Sequence, residues 1–94
     1  MNPFDFSDEL LEWVRELARR ELTPTSILRQ LIARLGESIA DRPTLVCCVS
    51  EAFNFREGEA YVIFHWFADG SGASDEKLDQ NLKRKIEKSR AKWD

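Results

Sequence analysis

Residues 60–72 read AYVIFHWFADGSG and hold four of the chain's ten aromatic residues and its only histidine. The fold class turns on this stretch. Taken with a period of two, YVIFHWF is apolar on both faces, as a central strand would be. Such a strand needs neighbours on both sides, and the only other strand candidate, residues 44–49, reads better as helix. Taken with a period of 3.6, Ala60, Ile63, Phe64 and Phe67 share one face, with Arg56, Glu57 and Glu59 in the first turn. The lack of sheet partners selects a helix over 57–67 and an all-α fold of four or five short helices around one core. The alternative is α+β with a strand at 60–67. A helix here places Ala60, Ile63, Phe64 and Phe67 in the core and leaves Tyr61 and Trp66 accessible.

The remaining segments carry clearer signals. Ser7 suits the N-cap of a helix over 8–21, with Asp8 and Glu9 where the dipole favours negative charge. Phe6 and Leu11 are spaced as a hydrophobic staple. Leu10, Leu11, Val14, Leu17 and Ala18 make one apolar face. In LTPTS, Thr23 caps and Pro24 takes the first position of a helix over 24–35, which stops at Gly36. In DRPTLVCCVSEAFN the propensities of residues 46–49 favour strand. The spacing of Leu45, Cys48, Val49, Ala52 and Phe53 favours a helix over 42–53, capped by Asp41 and ended by Asn54 in a left-handed conformation. ADGSGAS is a loop, and Ser74 starts a peripheral helix over 75–90 whose stripe is Leu78, Leu82, Ile86 and Trp93.

Ninety-four residues suit a single domain over 1–94. No apolar run is long enough to span a membrane, and the acidic start MNPFDFSDEL does not read as a secretory signal. Adjacent cysteines rarely bridge each other, so Cys47 and Cys48 read as reduced thiols in a cytoplasmic protein. The net charge of −3 hides an asymmetry. Residues 1–82 carry 8 Lys and Arg against 15 Asp and Glu, while residues 83–94 carry 6 against 2. The body is acidic and the tail is basic.

Catalysis is not expected. His65 and Cys47 are the only candidates, with no second group placed beside either, and Cys48 falls on the buried face, where thiols are inert. No metal-ligand spacing and no cofactor motif occur. DGSGAS precedes a helix N-terminus that could hold an anion, but Asp69, Asp75 and Glu76 would repel it. The basic run KRKIEKSRAK offers Lys83, Arg84, Lys85 and Lys88 to nucleic acid. A helix-turn-helix reading of the middle helices is weak, because the third carries Glu51 and no cation beyond Arg42. Tyr61 and Trp66, with Glu57, Glu59 and Asp69, form the expected protein-binding set.

ELTPTSILRQLIARLG, EAFNFREGEA, HWFADGSG and SDEKLD together resemble small helical bacterial proteins, some of them similar to immunity proteins that neutralise a toxin from the same locus. The resemblance spans most of the chain and includes no catalytic motif. It implies a cytoplasmic protein that works by binding. The expectation is a non-enzymatic inhibitor or adaptor whose acidic body attracts a basic toxin. The alternative is nucleic-acid binding through the basic last helix, and a homodimer is left open.

Overall fold

The computed structural model describes residues 6–94, so the reading of residues 1–5 lies outside it. The chain is all-α, with no strand among the described residues. Its elements are α1 (Asp8–Arg19), α2 (Pro24–Leu35), α3 (Arg42–Ala52), a 3₁₀ turn (Tyr61–His65), α4 (Asp75–Lys88) and α5 (Arg90–Trp93).

Local chemistry sets these boundaries. The side-chain oxygens of Ser7, Thr23, Asp41 and Ser74 accept from the backbone N–H groups of Leu10, Ser26, Thr44 and Lys77 respectively. Each satisfies one of the orphan donors of a helix start. α1 and α3 end alike. Leu22 N–H donates to the Leu17 carbonyl and Phe55 N–H to the Ser50 carbonyl, five residues back in each case. This closure needs a left-handed residue just past the helix, supplied by Glu21 at φ 62° and Asn54 at φ 53°. Gly36, at φ 89°, stops α2. α4 breaks at Ser89 and α5 resumes, bringing Trp93 back over the core with its Nε1 donating to the Ile86 carbonyl at 3.0 Å.

α1 packs against α2 and α3, α2 packs against α4, and the 3₁₀ turn sits between α3 and α4. α3 is the central element. Thr44, Leu45, Val46, Cys48, Val49 and Ala52 are all buried, which covers most of its circumference. A helix buried nearly all round lacks a polar stripe, and this is why its sequence also resembles a strand. Phe53 is fully buried at its end and meets Trp93 edge-on, centroids 5.0 Å apart. Charged ties hold the periphery: Arg15 Nε donates to the Ala52 carbonyl at the end of α3, and Arg19 bridges Glu12, Glu16 and Asp94. Asp79 of α4 accepts from the backbone N–H and the hydroxyl of Thr25 at the start of α2.

The deciding stretch departs from both readings of it. Neither the expected α-helix over 57–67 nor the alternative strand at 60–67 forms. Trp66 and Ala73 make a single isolated bridge, and the helical part is five residues of 3₁₀. A 3₁₀-helix has three residues per turn, so i and i+3 eclipse. Ala60, Ile63 and Trp66 therefore share one edge, and all are at most 1% exposed. Tyr61 and Phe64 share a second edge and are 50% and 38% exposed. Val62 and His65 share the third. Phe64, expected in the core, lies outside it, and Trp66, expected at the surface, lies within.

No helix among the described residues is long and apolar enough to cross a membrane.

Candidate binding surface

The segment leading to the 3₁₀ turn is shaped by its own backbone. After Asn54, Glu59 turns back so that Oε2 accepts from Arg56 N–H at 2.8 Å. Gly58 takes φ 90°, and its carbonyl accepts from Tyr61 N–H. The turn is then fixed from behind. Trp66 Nε1 donates to Asp75 Oδ1 at 2.9 Å, and Arg29 pairs with Asp75 Oδ2 at 2.9 Å. The Arg29 guanidinium also lies 5.3 Å from the Trp66 ring centroid and donates to the Ala68 carbonyl. The Arg29 guanidinium, and next the Trp66 indole, hold the Asp75 carboxyl below its usual range. Following the turn, Ala73 N–H donates to the His65 carbonyl at 2.7 Å. That approach leaves no room at Gly72, where a Cβ would sit 2.3 Å from the same carbonyl oxygen and 2.4 Å from the Phe67 ring.

On this mount Tyr61 and Phe64 face solvent. Their rings meet edge-on, centroids 5.5 Å apart and planes at 72°, a geometry favoured by the aromatic quadrupole. The next edge of the turn borders an open groove of about 420 Å³ lined by Val62, Ala73, Lys77, Gln80, Asn81 and Arg84. Residues 77, 81, 84 and 88 recur at helical spacing, so Lys77, Arg84 and Lys88 form one cationic stripe on α4. All three are exposed and none enters an ion pair among the described residues.

The residues expected to bind a partner fare differently. Tyr61 is exposed, as expected. Trp66 is 1% exposed and cannot be a surface anchor, because the period of three turns it inward. Glu57 is exposed. Glu59 is half-buried with its carboxylate engaged at Arg56. Asp69 is engaged within its loop, where the Ser71 hydroxyl and backbone N–H hold its carboxyl below the usual range. The structure thus brings Tyr61 together with Phe64, which the 3.6-residue reading had assigned to the core. The i, i+3 spacing of two aromatics is the signal that could have found the pair.

The basic set also divides. Lys83, Arg84 and Lys88 are exposed, whereas Lys85 is half-buried and its ammonium donates to the Glu59 carbonyl, tying α4 to the segment before the turn. Lys83 lies off the stripe, on the side of α4 that carries Glu76 and Glu87. Lys77, outside the basic run of the sequence, belongs to the stripe.

His65 is exposed, and its side chain enters no ion pair among the described residues. Burial, then the charge of Glu51, pushes the Cys48 thiol up to about 12, which leaves it protonated at neutral pH. No cluster of three His, Cys, Asp or Glu with metal-binding geometry occurs among the described residues. A separate hollow of about 220 Å³ lies between the α1–α2 connection and the α4–α5 junction, floored by Leu22, Ile86 and Trp93, and includes no residue of the turn.

No family model, no curated protein and no solved structure matches the chain.

Proposed function

We propose that the chain is a non-enzymatic protein-binding module that engages its partner through the Tyr61–Phe64 edge. The observation that carries this reading is the pair itself: two large aromatic side chains meeting edge-on and exposed on a turn pinned by buried Ala60, Ile63 and Trp66. Aromatic residues are enriched at protein interfaces and often dominate their energetics. A rigid mount lowers the entropy lost on binding. An inhibitor of the immunity type, neutralising a toxin by occupying it, is the most concrete form of the proposal. Two unpaired cysteines support a reducing compartment, the cytoplasm.

The test is parallel affinity capture from the source cell with the wild-type chain and a Tyr61→Ala/Phe64→Ala variant, after circular dichroism has shown equal folding. A stoichiometric protein held by the wild type and lost by the variant is expected. A partner held equally by both would remove the aromatic edge from the site.

A second reading is favoured by one observation, the exposed and unpaired state of Lys83, Arg84 and Lys88. Contact with nucleic acid through these cations would release counterions and fall steeply with salt. Binding of an oligonucleotide that is unaffected by neutralising Lys83, Arg84, Lys85 and Lys88 would eliminate it.

A further inference from the structure

We infer that the partner segment seated beside the Tyr61–Phe64 edge is acidic, and that it lies in the groove between the 3₁₀ turn and α4 with Lys77 and Arg84 pairing its carboxylates. The inference rests on the protein-binding reading and adds the chemistry of the partner.

Eight of the fourteen Lys and Arg have a partner for their side-chain charge, while Arg56, Lys83 and Lys92, like the stripe, enter no ion pair among the described residues. Arg15, Arg19 and Arg20 pair with Glu12 and Glu16, Arg29 with Asp75, and Arg90 with Asp94. Arg34 and Arg42 lie over the rings of Trp13 and Phe67 at 4.6 and 4.1 Å. Lys85 is taken up by the Glu59 carbonyl. Lys77, Arg84 and Lys88 receive nothing comparable. Arg84 and Lys88 are like charges four apart on one helix face, an arrangement that destabilises a helix. The side chain between Lys77 and Arg84 on the stripe is Asn81, which is neutral. A chain with net charge −3 thus keeps on α4 a cationic stripe that enters no ion pair among the described residues, two members of which line the groove. Val62, half-buried, joins the stripe to the aromatic edge by lining the groove from the next edge of the same turn.

Of the acids expected to serve a basic partner, Glu59 and Asp69 are engaged and Glu57 alone is exposed without a partner among the described residues. The Glu59 carboxylate is bound to Arg56 N–H and that of Asp69 to Ser71 N–H. Contact chemistry at the site is therefore opposite in sign to the net charge. A complementary segment presents Asp or Glu to Lys77 and Arg84, and an apolar side chain to Tyr61 and Phe64. Rim pairs of this kind set orientation and association rate more than affinity.

A random peptide library displayed on phage, selected against the immobilised chain at low salt, tests this directly. The selected peptides are then measured against Lys77→Glu/Arg84→Glu and Tyr61→Ala/Phe64→Ala variants whose melting temperatures match the wild type. The expected pool is rich in Asp and Glu around an aromatic or aliphatic residue. Both variants should weaken its binding by about tenfold or more, and added salt should weaken it further. Peptides lost only with the aromatic variant, or a pool without acidic bias, would overturn the acidic partner and leave the protein-binding reading standing. Acidic peptides lost only with the charge variant would overturn the aromatic edge as the anchor, and the proposal with it. A pool with no enrichment would overturn both. Tight, salt-sensitive binding of a single-stranded oligothymidine in place of peptides, abolished by Lys77→Glu/Arg84→Glu, would reassign the stripe to nucleic acid.

Discussion

Trp66 and Asp75 are joined by an indole-to-carboxylate hydrogen bond of 2.9 Å, and Arg29 grips both by pairing with the carboxylate and lying over the ring. Three residues from α2, the turn and α4 thereby fix the segment that carries the exposed aromatic edge. Trp66→Phe keeps much of the buried area but removes the donor, and should cost about 1–3 kcal/mol. Trp66→Ala should cost about 3–5 kcal/mol. Urea denaturation measures both, and unchanged midpoints would show that the ring does not hold the turn.

Tyr61 and Phe64 should behave in the opposite way. Each stands outside the core, so replacing either with alanine should change stability by less than about 1 kcal/mol, most of it the lost edge-on contact. Thermal melts of the single variants check this. A loss comparable with that of Trp66→Ala would mean that the pair serves the fold.

Two backbone positions should respond with opposite signs. Glu21 holds a left-handed conformation at φ 62°, which strains any residue with a Cβ. Glu21→Gly should stabilise the chain by up to about 1 kcal/mol, the relief being offset in part by the freedom of glycine when unfolded. Gly72→Ala drives a Cβ against the His65 carbonyl and should cost about 1–3 kcal/mol. Chemical denaturation of the pair is decisive: equal shifts in the same direction would contradict the geometry.

Acid should weaken the fold. Arg19 lowers the carboxyls of Glu12 and Asp94, the Thr44 hydroxyl and backbone N–H lower that of Asp41, and Arg29 lowers that of Asp75. Each group binds its proton less tightly when folded than when unfolded. The stability it adds is complete above its unfolded value of about 4 and is lost as pH falls through the lower folded value. Melting temperature should hold from pH 7 to about 5 and decline below about 4. Arg19→Gln should flatten that decline, and a melting temperature independent of pH down to 3 would count against these ties.

Most helix starts were legible because each rests on one residue with one task. Ser7, Thr23, Asp41 and Ser74 all cap, and α2 occupies the expected residues. Helix ends were less legible: α1 stops at Arg19 and α4 at Lys88, short of 21 and 90, because closing bonds and the Ser89 break depend on packing. Asn54 was readable as a left-handed stop, and Glu21, a residue with no preference for that conformation, was not. Residues 60–66 repeat every three, a period that neither the strand's two nor the α-helix's 3.6 describes. One wrong period exchanged the places of Phe64 and Trp66. The cationic stripe was half-visible, since counting charges along the chain joins Lys83 and Lys85 to Arg84 and omits Lys77, whereas the helix face does the reverse.

The three-residue repeat has a consequence for how such a protein can diversify. Positions 60, 63 and 66 answer to the interior, and positions 61 and 64 only to whatever lies outside. The interior and the surface are thus served by separate edges of the same turn and its two flanking residues. Under the proposed protein-binding role, exchanging the two outer rings for other side chains would alter specificity at little cost to folding, and two substitutions would suffice to retarget the turn.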